Sequence, residues 1–569
     1  MKLTLFILCM FAPFILHAQG SLLMVGGGSE YSSWADAPFT WFIEKADFGK
    51  IINIDVDQAS PEYPEYFISL GADSSSEALR ISSKTAANDS ATFYTLISAK
   101  GIFLEGGDQS EYVLTWKGTL VEDAIHHVFN HGGVIGGTSA GLAVLGQVVY
   151  DATGGYLYPD ESAYNSYTPD IHLTDDFLNL LPDVLTDSHF FPRGRLTRLV
   201  PMLARRIVDN GQKNIMGIGI CENTALCVDE SRLATVFGDA TVSILYQSET
   251  STIDCQPGKP LTFTDIVFHH LPRGAVFDLA HRELIDPGPY LNPISTIFVD
   301  NNFTAVNLSG VDDDAPNAGS DVVNYLTSSE SAAWRGTLSK SAGSNVVPNT
   351  VIIHKLMWED PARESYYFEN RWIGGMWACA AHPGYRVLYL NGDRDNSEFN
   401  SDVNISAGGI LTVAHGVAYV LKTNSITHFA PAYVRSANRA TNYRGFVNAR
   451  LSFLKEGDAV DLKISSSDVS SESPHPEQDI RLLPNYPNPF NASTSICFIL
   501  NAPKYAHVTI FNLDGAFVRT IGSGRFSAGQ HTLTWDGKNQ SQENVASGVY
   551  FVSLIVDARQ HSKKMLLLK

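Results

Sequence analysis

The sequence predicts an α/β domain with a mostly parallel sheet, followed by a β-rich region and a small C-terminal β-sandwich. Three observations carry this expectation. From Leu22 to Tyr246 short apolar runs alternate with amphipathic stretches, as in chains that lay down strands and helices in turn. From about Asp300 to Ile464 the pattern blurs, with strand-like runs and turns. After a polar linker, the last segment shows short strands separated by turn residues.

Residues 1–19 carry Lys2, an apolar core from Leu3 to Leu16 and a small residue at Ala18, which predicts a secretory leader cleaved near Ala18 or Gln19. The apolar run is short for a membrane anchor. Residues 20–299 then form the predicted catalytic domain. In it "SLLMVGGG", "KIINIDVD", "GIFLEGGDQ" and "GGVIGGTSAG" read as strands. Glu111 to Asn130 reads as a helix with Val113, Leu114, Leu120, Val121, Ile125 and Val128 on its apolar stripe. Chemistry in parallel sheets gathers at the carboxyl ends of strands, where Gly26 to Gly28, Gly106-Gly107 and Ser139 fall. In residues 300–464 "YRVLYLNGD" and "GGILTVAHGVAYVLKTN" read as strands with turns, and no motif assigns that region a role. Residues 465–480 are a Ser/Pro/Glu linker. In residues 481–569 "HVTIFNLDGAFVRTI" reads as a hairpin turning at Asp514-Gly515, with further strands in "GQHTLTWDGKN" and "SGVYFVSLIV".

The chain of 569 residues has a formal net charge of -20, yet from Arg481 onward nine lysines and arginines face four acids. So acidic a body excludes nucleic acid as the main partner and leaves cationic or zwitterionic substrates open. Cys9 belongs to the leader. Cys221, Cys227, Cys255, Cys379 and Cys497 remain, an odd set whose spacing fits neither a disulfide scaffold nor a zinc site. They are expected mostly as buried apolar residues, with a single disulfide left open.

Gly137-Thr138-Ser139-Ala140-Gly141 has the G-x-S-x-G form of a nucleophile elbow. Glycines on both sides allow a strained turn that lifts the hydroxyl, and the following helix brings its N-terminal N–H groups and dipole. The competing reading is an ordinary strand-to-helix corner built of small residues. A serine nucleophile needs a base and a group to orient that base. His126, His127 and His131 lie on or just after the preceding helix with no third ligand nearby, so solvated helix histidines are expected there and no metal. "TDSHFFPRGRLTRLVPMLARR" places His189 next to Asp187, followed by Arg193, Arg195 and Arg198 and an amphipathic helix carrying Leu196, Leu199 and Leu203. This is either a helix start with a solvated basic face or a cluster built for carboxylates. In "IMGIGICENTALCVD" a carboxylate, Glu222, interrupts an apolar run, which marks a turn into solvent or a site.

"FLEGGDQ", "GGTSAG", "DSHFFPRGRLTRL" and "GIGICENTAL", in this order, resemble peptidase family S51, and within it the cyanophycinases; the match spans about Leu22 to Arg282. The resemblance implies a flavodoxin-like, three-layer fold shared with class I glutamine amidotransferases. It also implies a serine exopeptidase that cuts cyanophycin (multi-L-arginyl-poly-L-aspartate) into β-Asp-Arg dipeptides. Carried over, Ser139 matches the nucleophile, His189 the base and Glu222 the acidic third member. Backbone N–H groups near Gly107, Asp108 and Ala140 would form the oxyanion hole. Gln109, Asp187, Ser188, Arg193, Arg195 and Arg198 match substrate-binding positions, with the arginines meeting carboxylates and Asp187 a guanidinium. Two positions depart from the pattern: Ser188 stands where glutamine is usual, and Leu142 replaces the alanine that usually ends the G-T-S-A-G-A run. No metal or organic cofactor is implied, and a homodimer is left open.

"LPNYPNPFNASTSICFIL", "GQHTLTWDGKN", "SGVYFVSL" and the closing "KKMLLLK" resemble the type A sorting domain of type IX secretion, with a FlgD-like Ig sandwich. That implies the type IX machinery as a partner and an extracellular or surface-attached protein. The leading expectation is thus an exported serine peptidase of cyanophycinase type. The alternatives are an aspartyl or isoaspartyl dipeptidase of the same family and an inactive surface binding protein.

Overall fold

The structure, a computed structural model, describes residues 20–289 without a break, most strands and one helix between 291 and 463, and 480–568 apart from short turns. The expected leader, nearly all of the linker and the Asp514-Gly515 turn lie outside the described residues. The chain divides into two compact units, Met1–Val469 and Ser470–Lys569.

In the first unit β1 (Ser21–Val25) leads through α1 (Asp36–Lys45) to β2 (Ile51–Asp55), and α2 (Glu62–Ser69) leads to β3 (Glu77–Arg80). Then α3 (Lys84–Ala87) and α4 (Ser90–Ile97) precede β4 (Gly101–Leu104). The stretch expected as one helix is two, α5 (Gln109–Trp116) and α6 (Leu120–Asn130). Gly118, at φ +71°, breaks it where an α-helix cannot continue. β5 (Val134–Thr138) follows, and five strands lie parallel in the order β1-β5-β4-β2-β3.

From α7 (Ala140–Ala143) the chain passes into a second sheet. Its first strands are β6 (Gly146–Tyr150) and, after α8 (Pro159–Ser162) and the two-residue β7 (Leu173–Thr174), β8 (Leu181–Asp187). Helix α9 (Leu196–Asn210) leads to β9 (Met216–Ile220), and β8 lies parallel between β6 and β9. Only Cys221, Glu222 and Asn223 separate β9 from β10 (Thr224–Val228), which belongs to the first sheet and runs antiparallel to β1. Glu222 thus lies in a turn between two strands of two sheets, as its place inside an apolar run suggests.

Period-two alternation sorts the side chains of β1. Leu22 and Met24 enter a core shared with Ile52, Ile54, Ile102, Leu104 and Ile135, with Val121, Ile125 and Val128 of α6, and with Ile218 and Ile220 of β9. Leu23 and Val25 face the opposite way, against Phe39 and Phe42 of α1. Helices thus cover both faces of the parallel strands, as an α/β fold requires. The second sheet goes beyond the expectation. β11 (Leu233–Gly238) widens the first sheet, while β12 (Thr241–Gln247) continues the second. After β13 (Ile253–Asp254), β14 (Thr262–Pro272) pairs with β12 on one side and with Phe446–Lys455 on the other. The strands Val417–Lys422, Arg386–Leu390, Val347–Ile353 and Gly319–Asn324 extend the same sheet. One hydrogen-bonded sheet therefore runs across residue 300, where the sequence placed a boundary. Helix Trp372–Ala381, also not anticipated, buries Trp372 against Tyr389 and Tyr419.

In the second unit, strands Ile480–Leu482, Thr494–Leu500 and Gly529–Trp535 form one sheet, and Phe517–Phe526, Lys504–Asn512, Gly548–Val556 and Arg559–Leu567 another. Ile496, Phe498, Val508, Ile510, Trp535, Val552 and Leu554 form one core from both, the expected small sandwich.

Candidate active site

β5 ends at Thr138, and Ser139 follows at φ +51° and ψ −108°, outside the regions a non-glycine residue ordinarily occupies. Backbone hydrogen bonds hold this corner: Ser139 N–H donates to Val25 O at 3.1 Å, and Gly141 N–H to Glu105 O at 3.0 Å. A Cβ on Gly141 would lie 2.2 Å from the Leu104 carbonyl, so the elbow can seat against β4 only with glycine there. Ser139 thus stands at the carboxyl end of β5, as the G-x-S-x-G pattern leads one to expect.

His189 comes from the other sheet. Asp187 ends β8, and the His189 N–H donates to Gly26 O at 2.8 Å. Gly27 lies at φ +92° against the imidazole, where a Cβ would come within 2.4 Å of Cε1. Glu222 occupies the turn from β9 to β10, and its neighbour Asn223 donates to Gly27 O at 2.8 Å and accepts from Ser29 N–H at 2.9 Å. The glycine-rich segment after β1 therefore docks both halves of the site. The outcome is a continuous relay: Ser139 Oγ lies 2.8 Å from His189 Nε2, and His189 Nδ1 lies 2.7 Å from Glu222 Oε1.

Burial pushes the His189 pKa down to about 4; the hydrogen bond to Glu222 opposes this, and the fields of Arg193 and Arg195 add to it. The ring is neutral at pH 7. With Nδ1–H donated to Glu222, Nε2 is left to accept from the Ser139 hydroxyl. That arrangement can take a proton from serine and return it to a leaving group.

Of the expected oxyanion donors, Ala140 is the first residue of α7, so its N–H has no acceptor within the helix. Gly106 packs beside Ser139, with an added Cβ 3.4 Å from the serine Cβ, and the exposed backbone of Gly107 and Asp108 continues from there. The Asp108 side chain is used locally, accepting from Ser110 N–H as the cap of α5. Gln109 is half-buried and turned toward the Tyr150 carbonyl.

The arginine cluster departs from the solvated-face reading and meets a carboxylate of the chain itself. Arg195 and Arg198 are 6% and 1% exposed, so the start of α9 is no solvated basic face. Arg198 grips Asp187 through Nε at 2.7 Å and Nη2 at 2.6 Å, and Arg195 Nη1 adds a bond at 3.1 Å. Burial alone would raise the Asp187 pKa, but Arg198 and Arg195 outweigh it and hold the carboxyl below its usual range. Asp187 thus binds guanidinium groups of the chain itself. The buried Ser188 is part of the same knot, its carbonyl accepting from Arg195 at 2.9 Å. Arg193 is half-buried, and its charge reaches His189 and Arg195. The departure at Leu142 is a packing change, since the residue is fully buried in the core of α6 and β9.

His126, His127 and His131 lie on the outer side of α6, with the His127 and His131 rings stacked at 4.1 Å. Cys221, Cys227, Cys255 and Cys497 are free thiols, and the Cys379 side chain lies outside the described residues. Two carboxyls escaped the sequence reading. Glu30, in the segment after β1, accepts from the Thr138 hydroxyl. Glu105, just after β4, accepts from Ser60 N–H at 2.7 Å and from Asn53. Burial is the main cause that raises both, Glu105 to about 7. The signal that singled out Glu222, an acid inside an apolar run, was equally present at Glu105 in "GIFLEGG".

Residues 61–236 match the family model of peptidase family S51, and residues 490–558 that of the FlgD Ig-like domain. A cyanophycinase of Synechococcus elongatus is 27% identical over 275 residues, 46% of this chain and 80% of its own. One of Trichormus variabilis is 28% identical over 280 residues, 47% of this chain and 89% of its own. Among solved structures, a peptidase from an acI-B1 Actinobacterium is similar at 21% identity, covering 46% of this chain and 98% of that one, with a TM-score of 0.31. The chain therefore carries a peptidase family S51 domain, a hydrolase domain with cyanophycinases among its relatives, and near its C-terminus a FlgD Ig-like domain.

Proposed function

We propose that this protein is an exported serine exopeptidase that hydrolyses cyanophycin to β-Asp-Arg dipeptides. The observation that carries the reading is the hydrogen-bonded series Ser139–His189–Glu222 on an elbow of positive φ. Ser139 Oγ attacks the peptide carbonyl as its proton passes to His189 Nε2, while Glu222 keeps the ring in the required tautomer. The N–H groups of Ala140 and the Gly107-Asp108 backbone receive the developing oxyanion. His189 then protonates the departing amine and, in the second half, takes a proton from the water that opens the acyl-enzyme. Arg193, beside His189, meets a substrate carboxylate.

The paired state of Asp187 favours a second reading, since it leaves no carboxylate there for a substrate arginine. Under it the protein is an aspartyl or isoaspartyl dipeptidase. Incubation with cyanophycin granules and assay of soluble β-Asp-Arg, with Ser139→Ala as control, tests both. Release by the wild type alone supports the first reading, and cleavage of aspartyl dipeptides but not granules supports the second. Binding without release, equal in the variant, would leave only a binding protein. Export through the leader, with the C-terminal sandwich addressing the protein to type IX secretion and the cell surface, completes the proposal. Fractionation of cells with and without residues 481–569 tests that part.

A further inference from the structure

Thr138 and Ser139 are adjacent, and the strained backbone of Ser139 persists only where its surroundings over-determine it. Two of its anchors are backbone bonds, to Val25 and from Gly141 to Glu105. The third is made by side chains alone, from the Thr138 hydroxyl to Glu30 Oε1. Both residues are buried, at 3% and 8% exposure. Glu30 comes from the segment that also seats His189 and Asn223, so this bond ties the elbow of β5 to the loop that docks the base.

Besides the Thr138 hydroxyl, the Glu30 carboxyl is held by its own backbone N–H, and its surroundings explain why the bond to Thr138 matters. The titratable groups whose fields reach it are acids and phenols: Glu222 from the β9–β10 turn, Glu105 from the end of β4, Tyr63 from α2 and its neighbour Tyr31. A buried carboxyl among such neighbours is costly unless it is hydrogen-bonded, and a plain structural role would be met more cheaply by an apolar side chain. Nothing in the proposed chemistry uses Glu30 directly.

We propose that Glu30 is a positioning residue for the nucleophile: it fixes Ser139 Oγ within reach of His189 by holding Thr138, the residue before it. The proposal rests on Ser139 being the nucleophile. Its test must therefore not depend on knowing the substrate.

The test is the rate at which a fluorophosphonate probe labels full-length protein, with Ser139→Ala as blank. Melting curves accompany each variant, and rates are taken below the melting range of all. Glu30→Gln keeps the acceptor and Thr138→Ser keeps the donor, so both should label within about threefold of wild type. Glu30→Ala and Thr138→Val remove one end each and should lose about tenfold, because small misplacements of a reacting group cost rate steeply. Since both act on one bond, the double variant should lose no more than either alone. Should Glu30→Ala fail to fold, Thr138→Val against Thr138→Ser makes the same comparison. Equal labelling of Glu30→Ala and wild type overturns the proposal, as does a Glu30→Gln rate as low as that of Glu30→Ala. A wild type that labels no better than Ser139→Ala overturns the nucleophile reading itself, and the proposal with it.

Discussion

Gly27 shows how narrowly a single side chain can set this site. Its missing Cβ leaves the space that the His189 ring fills, and a methyl there would sit 2.4 Å from Cε1. Gly27→Ala should therefore push the ring off Ser139 and lower kcat/KM by about 100-fold, with the far-ultraviolet spectrum unchanged. Normal turnover in that variant would mean that the observed ring position is not the working one. The His189 pKa of about 4 gives a second expectation. Above it the imidazole is neutral and accepts a proton; below it the ring is already protonated and idle. The acid limb of kcat/KM should thus fall near pH 4, well below the ordinary histidine value. A limb near 6.5 would contradict the burial argument. At Asp187 the expectation concerns stability. Asp187→Ala strands two buried guanidinium groups, and breaking such a pair from one side costs about 3–5 kcal/mol, readable as a lowered urea midpoint. Ser139, His189 and Glu222 stood out along the chain because each sits in a short pattern of its own. The Asp187–Arg198 pairing did not, since a strand end, a tight turn and a helix start must first fold to bring the groups together.

β14 carries His269 and His270 into the interior, one against Tyr246 and the other against Ser243, and burial lowers both to about 3. Both are neutral in the fold and in the unfolded chain above pH 6.5, where they have no pH effect. Between 6.5 and about 3 the unfolded chain binds protons that the folded strand refuses. Stability should therefore drop as pH falls through that window, by about 1.4 kcal/mol per pH unit for each ring. Urea midpoints from pH 7 to pH 4 would show it, and His270→Phe should flatten the slope; an unchanged slope would refute the assignment. Strands and helices were legible where their period was clean, as in "SLLMV" and the apolar stripe of α6. Where two elements share one apolar run, an interrupting polar residue marks the turn between them, as Glu222 does. What the local pattern does not show is that "MGIGI" and "TALCV" go to different sheets on the two sides of that turn.

At the scale of the molecule, the two units carry separate apolar cores, one in the sandwich after Ser470 and the others before Val469. Calorimetry of the full chain should show two transitions, and removing residues 470–569 should abolish one while leaving the other in place. A single transition lost as a whole would contradict independent cores. Within the first unit the strand Phe446–Lys455 is hydrogen-bonded to β14, and Val417–Lys422, Arg386–Leu390, Val347–Ile353 and Gly319–Asn324 continue its sheet, with Phe268, Tyr419, Phe446 and Phe453 in one core. They should therefore melt with the catalytic strands. Local chemistry was enough to place the elbow and the C-terminal sandwich, because glycine pattern, apolar period and turn residues act over a few positions, whereas the roles of His189 and Glu222 came from the resemblance to peptidase family S51. Folding in space settled which carboxylates and guanidiniums are spent on one another, that Glu30 meets Thr138, and that one sheet spans residue 300. Ion pairs and strand ladders depend on distances between residues far apart in the chain, and only packing sets those.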